Sequence, residues 1–149
     1  MKTIFDKAAR DGLISRINLI DEKCSAQWGE MNVNQMVKHC TMWEEVTLGK
    51  RKLKSTFLGI VLGKLFLKGI IKDDSPLKRF LPAVNELKVT EPVNSDLEAG
   101  KRNWISLINE YPKSSVNEWQ LPFFGRVKKE QAGFVAYKHT DHHLRQFDV

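Results

Sequence analysis

The chain has few cysteines, which excludes several classes of protein. Only two, Cys24 and Cys40, occur among its 149 residues, and they form no CxxC pair. Two thiols are too few to staple a secreted fold, and they lack the spacing of a zinc finger. The sequence therefore predicts free thiols in the reducing environment of the cytoplasm.

Long apolar runs are also missing. The most apolar stretch, residues 57–71, contains Lys64 and Lys68. Its 15 residues compare with the roughly 20 that a membrane-spanning helix needs. The N-terminus turns charged at once and lacks the apolar core of a signal peptide. We therefore expect no membrane span and a cytoplasmic location, with residues 57–71 forming a core or interface helix that makes a homodimer one expected arrangement.

Acidic residues are fewer than basic ones: the chain contains 18 Asp and Glu and 24 Lys and Arg, which gives a net charge of +6. A basic cluster accounts for part of the excess, but it has no interleaved aromatic residues for base stacking. We interpret it as a solvated loop between helices and rank a nucleic-acid partner last. The cluster consists of Lys50, Arg51, Lys52 and Lys54.

The chain length fits one domain spanning residues 1–149.

Apolar residues recur at helical spacing in several segments, which predicts an all-α fold. Asp6 is a candidate N-cap for the first helix, and Asn32 with Gln35 and Ser95 with Glu98 resemble capping boxes. Residues 73–93 contain three prolines and are predicted to form a crossover connection. No alternating pattern is regular enough to predict a sheet. The predicted helices cover residues 6–20, 32–49, 57–71, 95–111 and 128–147.

Three of the four histidines, His139, His142 and His143, lie within five positions. His139 and His143 are one helical turn apart, so both rings share a helix face and can bind one metal ion if a third ligand comes from elsewhere. The remaining histidine, His39, lies on the inward apolar stripe of the second predicted helix. We therefore predict a divalent-metal site formed by His39, His139 and His143. Imidazole suits Zn, Ni, Fe and Cu, so the metal identity stays open.

These histidines also have an explanation without a metal. His139 could be a hydrogen-bonded core residue, while His142 and His143 could lie on the surface near a helix end. His142 points away from the face shared by the other two. We interpret it as a residue that supports the ligands, contacts a partner or is simply polar.

Other candidates for chemistry are weaker. Cys40 follows His39, but adjacent helical residues diverge by about 100°, which argues against a Cys-His nucleophile pair. Glu44 and Glu45 could supply a general base, although solvation is the simpler expectation for both. Three residues beside the histidines could orient ligands or substrate, or could serve packing and capping: Tyr137, Arg145 and Gln146.

Two segments carry a family resemblance. WGEMN at 28–32 with QMVKH at 35–39, and YKHTDHHLRQF at 137–147, resemble the DinB-like superfamily of DinB/YfiT-type metalloenzymes, most closely a subfamily of unknown function. The resemblance implies a four-helix bundle with a long crossover between helices 2 and 3, to which residues 57–71 add an extra apolar helix. It also implies a divalent-metal site with His39, His139 and His143 as ligands.

The resemblance further implies a reaction class. Relatives include metal-dependent transferases that use low-molecular-weight thiols such as bacillithiol and mycothiol, and others are hydrolases or isomerases. We therefore expect a metal-dependent, thiol-using S-transferase or a hydrolase with a small-molecule substrate; the alternative is a non-catalytic bundle that binds a metal or small ligand. The usual ending places Arg-Gly-Gln directly after the last histidine, whereas Leu144, Arg145 and Gln146 follow His143 here. We expect Arg145 to face a different direction from the arginine of relatives.

Overall fold

The computed structural model describes residues 1–53, 57–81, 85–93, 96–121 and 123–149. Within these ranges the chain forms five α-helices and one antiparallel pair of strands. The helices are α1 (Lys7–Asn18), α2 (Val33–Thr47), α3 (Phe57–Ile70), α4 (Leu97–Ile108) and α5 (Lys129–Gln146). The strands are β1 (Glu118–Leu121) and β2 (Gly125–Lys128), and single 3-10 turns cover Asn85–Leu87 and Tyr111–Lys113.

The all-α prediction is wrong, and the four-helix bundle falls with it, because β1 and β2 form a hairpin between α4 and α5. Trp119 and Leu121 of β1 are buried, as is Val127 of β2, while the residues between them face solvent. Each strand has only four residues, so the alternation is too short to identify from sequence. Between the strands the chain turns at Phe123 and Phe124, while Pro122 lies outside the described residues.

The helix starts follow the predicted caps with one shift. Asp6 accepts a hydrogen bond from the Ala9 amide at 2.7 Å, which satisfies one of the free amides of the first turn of α1. Asn32 and Gln35 form the reciprocal capping box at the start of α2. Asp96 caps α4, while Ser95 lies outside the described residues. Local side-chain chemistry thus determines where these helices begin.

The core lies between α2, α4 and α5. α2 packs against both α4 and α5, α1 contacts α4 and α5, and the hairpin lies against α2 and α5. Trp104 and Tyr111 are fully buried, and the rings of Tyr111 and Trp119 stack with centroids 5.5 Å apart. No helix among the described residues combines the length and the hydrophobicity needed to cross a membrane.

α3 rests on the hairpin turn through a close backbone approach. A Cβ added to Gly63 would lie 1.6 Å from the Phe123 carbonyl oxygen, so only glycine fits. Leu67, one turn later, is buried against the core. The hairpin is therefore the neighbour that Gly63 allows α3 to approach closely. Gly63 therefore determines which side of α3 faces the protein.

A carboxyl group is buried inside the core next to α5. Glu44 of α2 is fully buried and accepts hydrogen bonds from the Tyr111 hydroxyl and, at 3.2 Å, from the Thr140 hydroxyl. The expectation that Glu44 is solvated is wrong, whereas Glu45 is partly exposed and pairs with Arg51 at 3.0 Å. Burial raises the pKa of Glu44 from 4.5 to about 7, and the two donated hydrogen bonds oppose the rise.

We predict that Glu44→Gln removes a pH-dependent loss of stability. Because the pKa of Glu44 is higher in the folded than in the unfolded chain, the free energy of unfolding should fall as the pH rises from 4.5 to about 7. This pKa difference corresponds to roughly 3 kcal/mol. Urea unfolding at several pH values should show the variant gaining this amount relative to the wild type across the window. Glu45→Gln is the control, and equal gains in both variants would contradict the assignment.

Candidate metal centre

The three histidines singled out by the sequence converge in the structure. His39 comes from α2, and His139 and His143 come from consecutive turns of α5. One ring nitrogen from each lies within 4.8 Å of those of the other two. His39 Nε2 and His139 Nε2 are 3.2 Å apart. A tetrahedral ion with Zn–N distances of about 2.0–2.1 Å separates its nitrogen ligands by about 3.3 Å, so this spacing suits a metal.

Hydrogen bonds at Nδ1 determine the tautomers of two of the rings. His39 Nδ1 donates to the Leu87 carbonyl oxygen at 2.8 Å. His143 Nδ1 donates to Gln146 Oε1 at 2.8 Å, and the Gln146 amide nitrogen donates in turn to the Trp28 carbonyl at 2.7 Å. A neutral imidazole with its proton on Nδ1 has a lone pair on Nε2. His39 and His143 therefore present lone pairs to a cation, with the supporting contacts that metal-binding histidines use.

His139 is held by an aromatic ring. Trp43, one turn after His39 on α2, stacks on it with centroids 4.3 Å apart and an interplanar angle of 18°. His139 Nδ1 is buried and has no hydrogen-bond partner among the described residues. Its Nε2 faces His39 Nε2, and two lone pairs at this separation repel unless a cation or a proton lies between them. The donor set thus fits a divalent ion.

Burial keeps the cluster neutral. It lowers the pKa of His39, against a smaller opposing effect of the Leu87 carbonyl. It lowers the pKa of His139 and of His143 well below the usual range, and repulsion between the rings when charged lowers both further. Metal ligation requires deprotonated imidazole. All three rings are therefore in the ligand form at neutral pH.

The other candidate residues lie apart from the three nitrogens. His142 packs edge-on against Trp28 with centroids 5.6 Å apart and is not one of the three converging histidines. Cys40 Sγ is buried in the core, where it contacts Met36 Sδ at 3.8 Å. Arg145 pairs with Asp141 at 2.7 Å.

Two of the contacts that support the histidines could not be predicted from the residue types in the sequence. The Leu87 and Trp28 carbonyls are backbone groups, and any residue at those positions could offer them. Gly29 does carry a signal, since its φ is +81° and a Cβ there would lie 2.7 Å from Gln146 Nε2. Gln146, left open between packing and ligand orientation, makes the contact to His143.

A small apolar cavity adjoins the cluster. It is bordered by Trp43, which stacks on His139, and by Leu87, whose carbonyl accepts from His39. Its volume of about 10 Å³ is room for about one water molecule. Its lining is apolar, so it could admit only a small nonpolar group unless neighbouring side chains move.

Comparison with known proteins places the chain without assigning an activity. A family model described as a protein of unknown function (DUF1569) matches residues 5–149. No curated protein and no solved structure matches the chain. The matched range includes all three converging histidines.

We predict that metal binding requires each converging histidine. Wild-type protein, dialysed and reloaded with Zn, Ni or Fe, should hold about one ion per chain by elemental mass spectrometry. His39→Ala, His139→Ala and His143→Ala should each lose the ion because two imidazoles remain. His142→Ala is the matched control and should keep it. Equal metal content in all five proteins would exclude this site.

We also predict that Gln146→Leu weakens metal binding without removing a ligand. The substitution leaves His143 Nδ1 without its acceptor and the Trp28 carbonyl without its donor. Loss of such a supporting contact typically costs about 10–100-fold in metal affinity. Competition with a chromogenic chelator should measure this loss, and Arg145→Gln at the neighbouring position should retain the wild-type affinity. The role of Gln146 would be refuted by wild-type affinity in Gln146→Leu.

Proposed function

The chain belongs to the DUF1569 family, whose function is unknown, and we propose that it is a divalent-metal-dependent enzyme. The observation that carries the proposal is the convergence of His39, His139 and His143 with two Nε2 lone pairs oriented by hydrogen bonds at Nδ1. Three imidazoles leave one position open in tetrahedral geometry and three in octahedral geometry. A site with open positions can accept a substrate as well as hold an ion.

We propose a thiol S-transferase as the reaction class. This choice is supported by the resemblance of the histidine-containing segments to the DinB-like superfamily and by the ligand chemistry. A bound divalent ion would supply a Lewis acid that lowers the pKa of a thiol. The thiolate sulfur would form a bond to an electrophilic carbon, whose leaving group departs with its electron pair, and the thiol proton would pass to solvent.

The positions of the two cysteines favour a thiol that comes from solution. Cys40 Sγ is buried against Met36 in the core, and burial raises the pKa of this thiol well above its usual value. Cys24 lies in the turn after α1, where its sulfur accepts a hydrogen bond from the Asp21 amide at 3.4 Å. Neither sulfur belongs to the group of ligand atoms that converges at the three histidines, and we propose a low-molecular-weight thiol as the co-substrate.

We predict thiol-dependent turnover that requires His143. Protein loaded with Zn, Ni or Fe should be assayed against a panel of low-molecular-weight thiols and small electrophiles, with product detected by mass spectrometry. Turnover should require both metal and thiol and should be abolished in His143→Ala, while His142→Ala stays active. Product formed at equal rates by the wild type and His143→Ala would refute the proposal, and metal-dependent product formed by water alone would indicate a hydrolase.

The alternative is a non-catalytic metal-binding protein, and the burial of the site favours it. His39 and His143 are only 5% and 7% exposed, and the adjoining cavity has a volume of only about 10 Å³. The cobalt-loaded protein separates the two functions. A thiolate-to-cobalt charge-transfer band on addition of a thiol would support the transferase. An unchanged spectrum, together with strong thermal stabilisation by the ion, would support the alternative.

A further inference from the structure

The positive charge of the chain is concentrated in one stretch. Residues 46–72 contain seven Lys and Arg and no Asp or Glu. Subtracting them from the totals of 24 basic and 18 acidic residues leaves 17 against 18, so the remainder has a net charge of −1. The whole excess therefore lies within residues 46–72, on α3 and in the segments that flank it. The seven residues are Lys50, Arg51, Lys52, Lys54, Lys64, Lys68 and Lys72, of which Lys54 lies outside the described residues.

One face of α3 exposes large apolar side chains. Leu62, Leu65 and Phe66 are 52%, 70% and 46% exposed. Positions three and four apart lie on the same side of a helix, so the three form a continuous strip. Gly63 and Leu67 occupy the opposite side, against the hairpin and the core. The strip therefore faces away from the protein.

Uncompensated cations border this strip. Lys64 and Lys68 are one turn apart on α3, and both are exposed. Neither forms an ion pair with any described residue, and α3 contains no acidic residue. We name Leu62, Leu65 and Phe66 together with Lys64 and Lys68 the α3 surface. It combines an exposed apolar strip with a positive edge, as helices that lie in a membrane interface do.

We propose that the α3 surface binds the surface of an anionic lipid bilayer. Leucine and phenylalanine side chains can enter the boundary between headgroups and acyl chains, while nearby lysines pair with anionic headgroups. A second copy of the chain fits less well, because two copies joined across this face would bring their lysines together. A nucleic acid would satisfy the lysines but leave the leucines against phosphate. The binding surface is separate from the metal centre and does not rest on the proposed enzymatic function.

The test is co-sedimentation of the full chain with lipid vesicles. Wild-type protein should bind vesicles that contain phosphatidylglycerol and should bind pure phosphatidylcholine vesicles much more weakly. Lys64→Gln/Lys68→Gln should weaken binding about 30-fold, because each lysine near an anionic surface contributes about 1 kcal/mol. Leu65→Ser should weaken it about tenfold through lost apolar contact. High salt should reduce binding of the wild type.

Matched controls carry the same chemical changes elsewhere. Lys88→Gln/Lys113→Gln removes two exposed lysines outside the basic stretch, and Leu19→Ser removes a leucine that is 66% exposed. Both should bind vesicles like the wild type, and circular dichroism should show that every variant is folded. Equal binding to both vesicle types, or equal losses in test and control variants, would overturn the proposal. Sedimentation equilibrium tests whether a second copy of the chain binds the α3 surface instead. A wild-type dimer that is lost in Leu65→Ser, together with no vesicle binding, would also overturn the proposal.

Discussion

The packing of α5 against α2 is the contact on which both the core and the metal centre depend. Two polar layers lie side by side along it. In one layer His39 meets His139 and His143, and in the other Glu44 accepts a hydrogen bond from Thr140. Since His139 and Thr140 are adjacent, a sliding of α5 along α2 would separate the histidine nitrogens and leave a buried carboxyl group without one of its donors. The register of the two helices is therefore specified twice.

That specification explains how polar groups are accommodated in a small core. Glu44 also accepts from the Tyr111 hydroxyl, so a residue beyond the end of α4 is tied to the same interface. Trp43 occupies the neighbouring position of α2 and stacks on His139, which limits rotation of that ring. Hydrogen bonds thus restrain His39, His143, Glu44 and Thr140, and an aromatic neighbour restrains His139. Such restraint holds ligand nitrogens in place without a rigid sheet beneath them.

Much of the helical framework and the histidine cluster could be predicted, because both depend on local patterns. Asp6 and Asn32 cap helices through side chains that act within three residues, and the spacing of His139 and His143 places their rings on one face. The hairpin could not be predicted because a four-residue strand contains too few alternations of apolar and polar residues. The burial of Glu44 could not be predicted because it depends on contacts with Tyr111 and Thr140. Both residues are distant in sequence, and no local pattern indicates that they contact Glu44. The resemblance to the DinB-like superfamily stays a prediction.

The contact between Gln146 and Trp28 joins the two segments that stand out in the sequence. Gln146 orients His143 through one end of its amide and holds the Trp28 carbonyl with the other. Gly29 makes room for that amide, since a larger residue would collide with it. Gln146 and Trp28 are 118 residues apart along the chain, and because the contact uses the Trp28 backbone carbonyl, it links the identities of Gly29 and Gln146. Substitutions at Gly29 and at Gln146 therefore act on the same contact, so their effects on stability should not simply add.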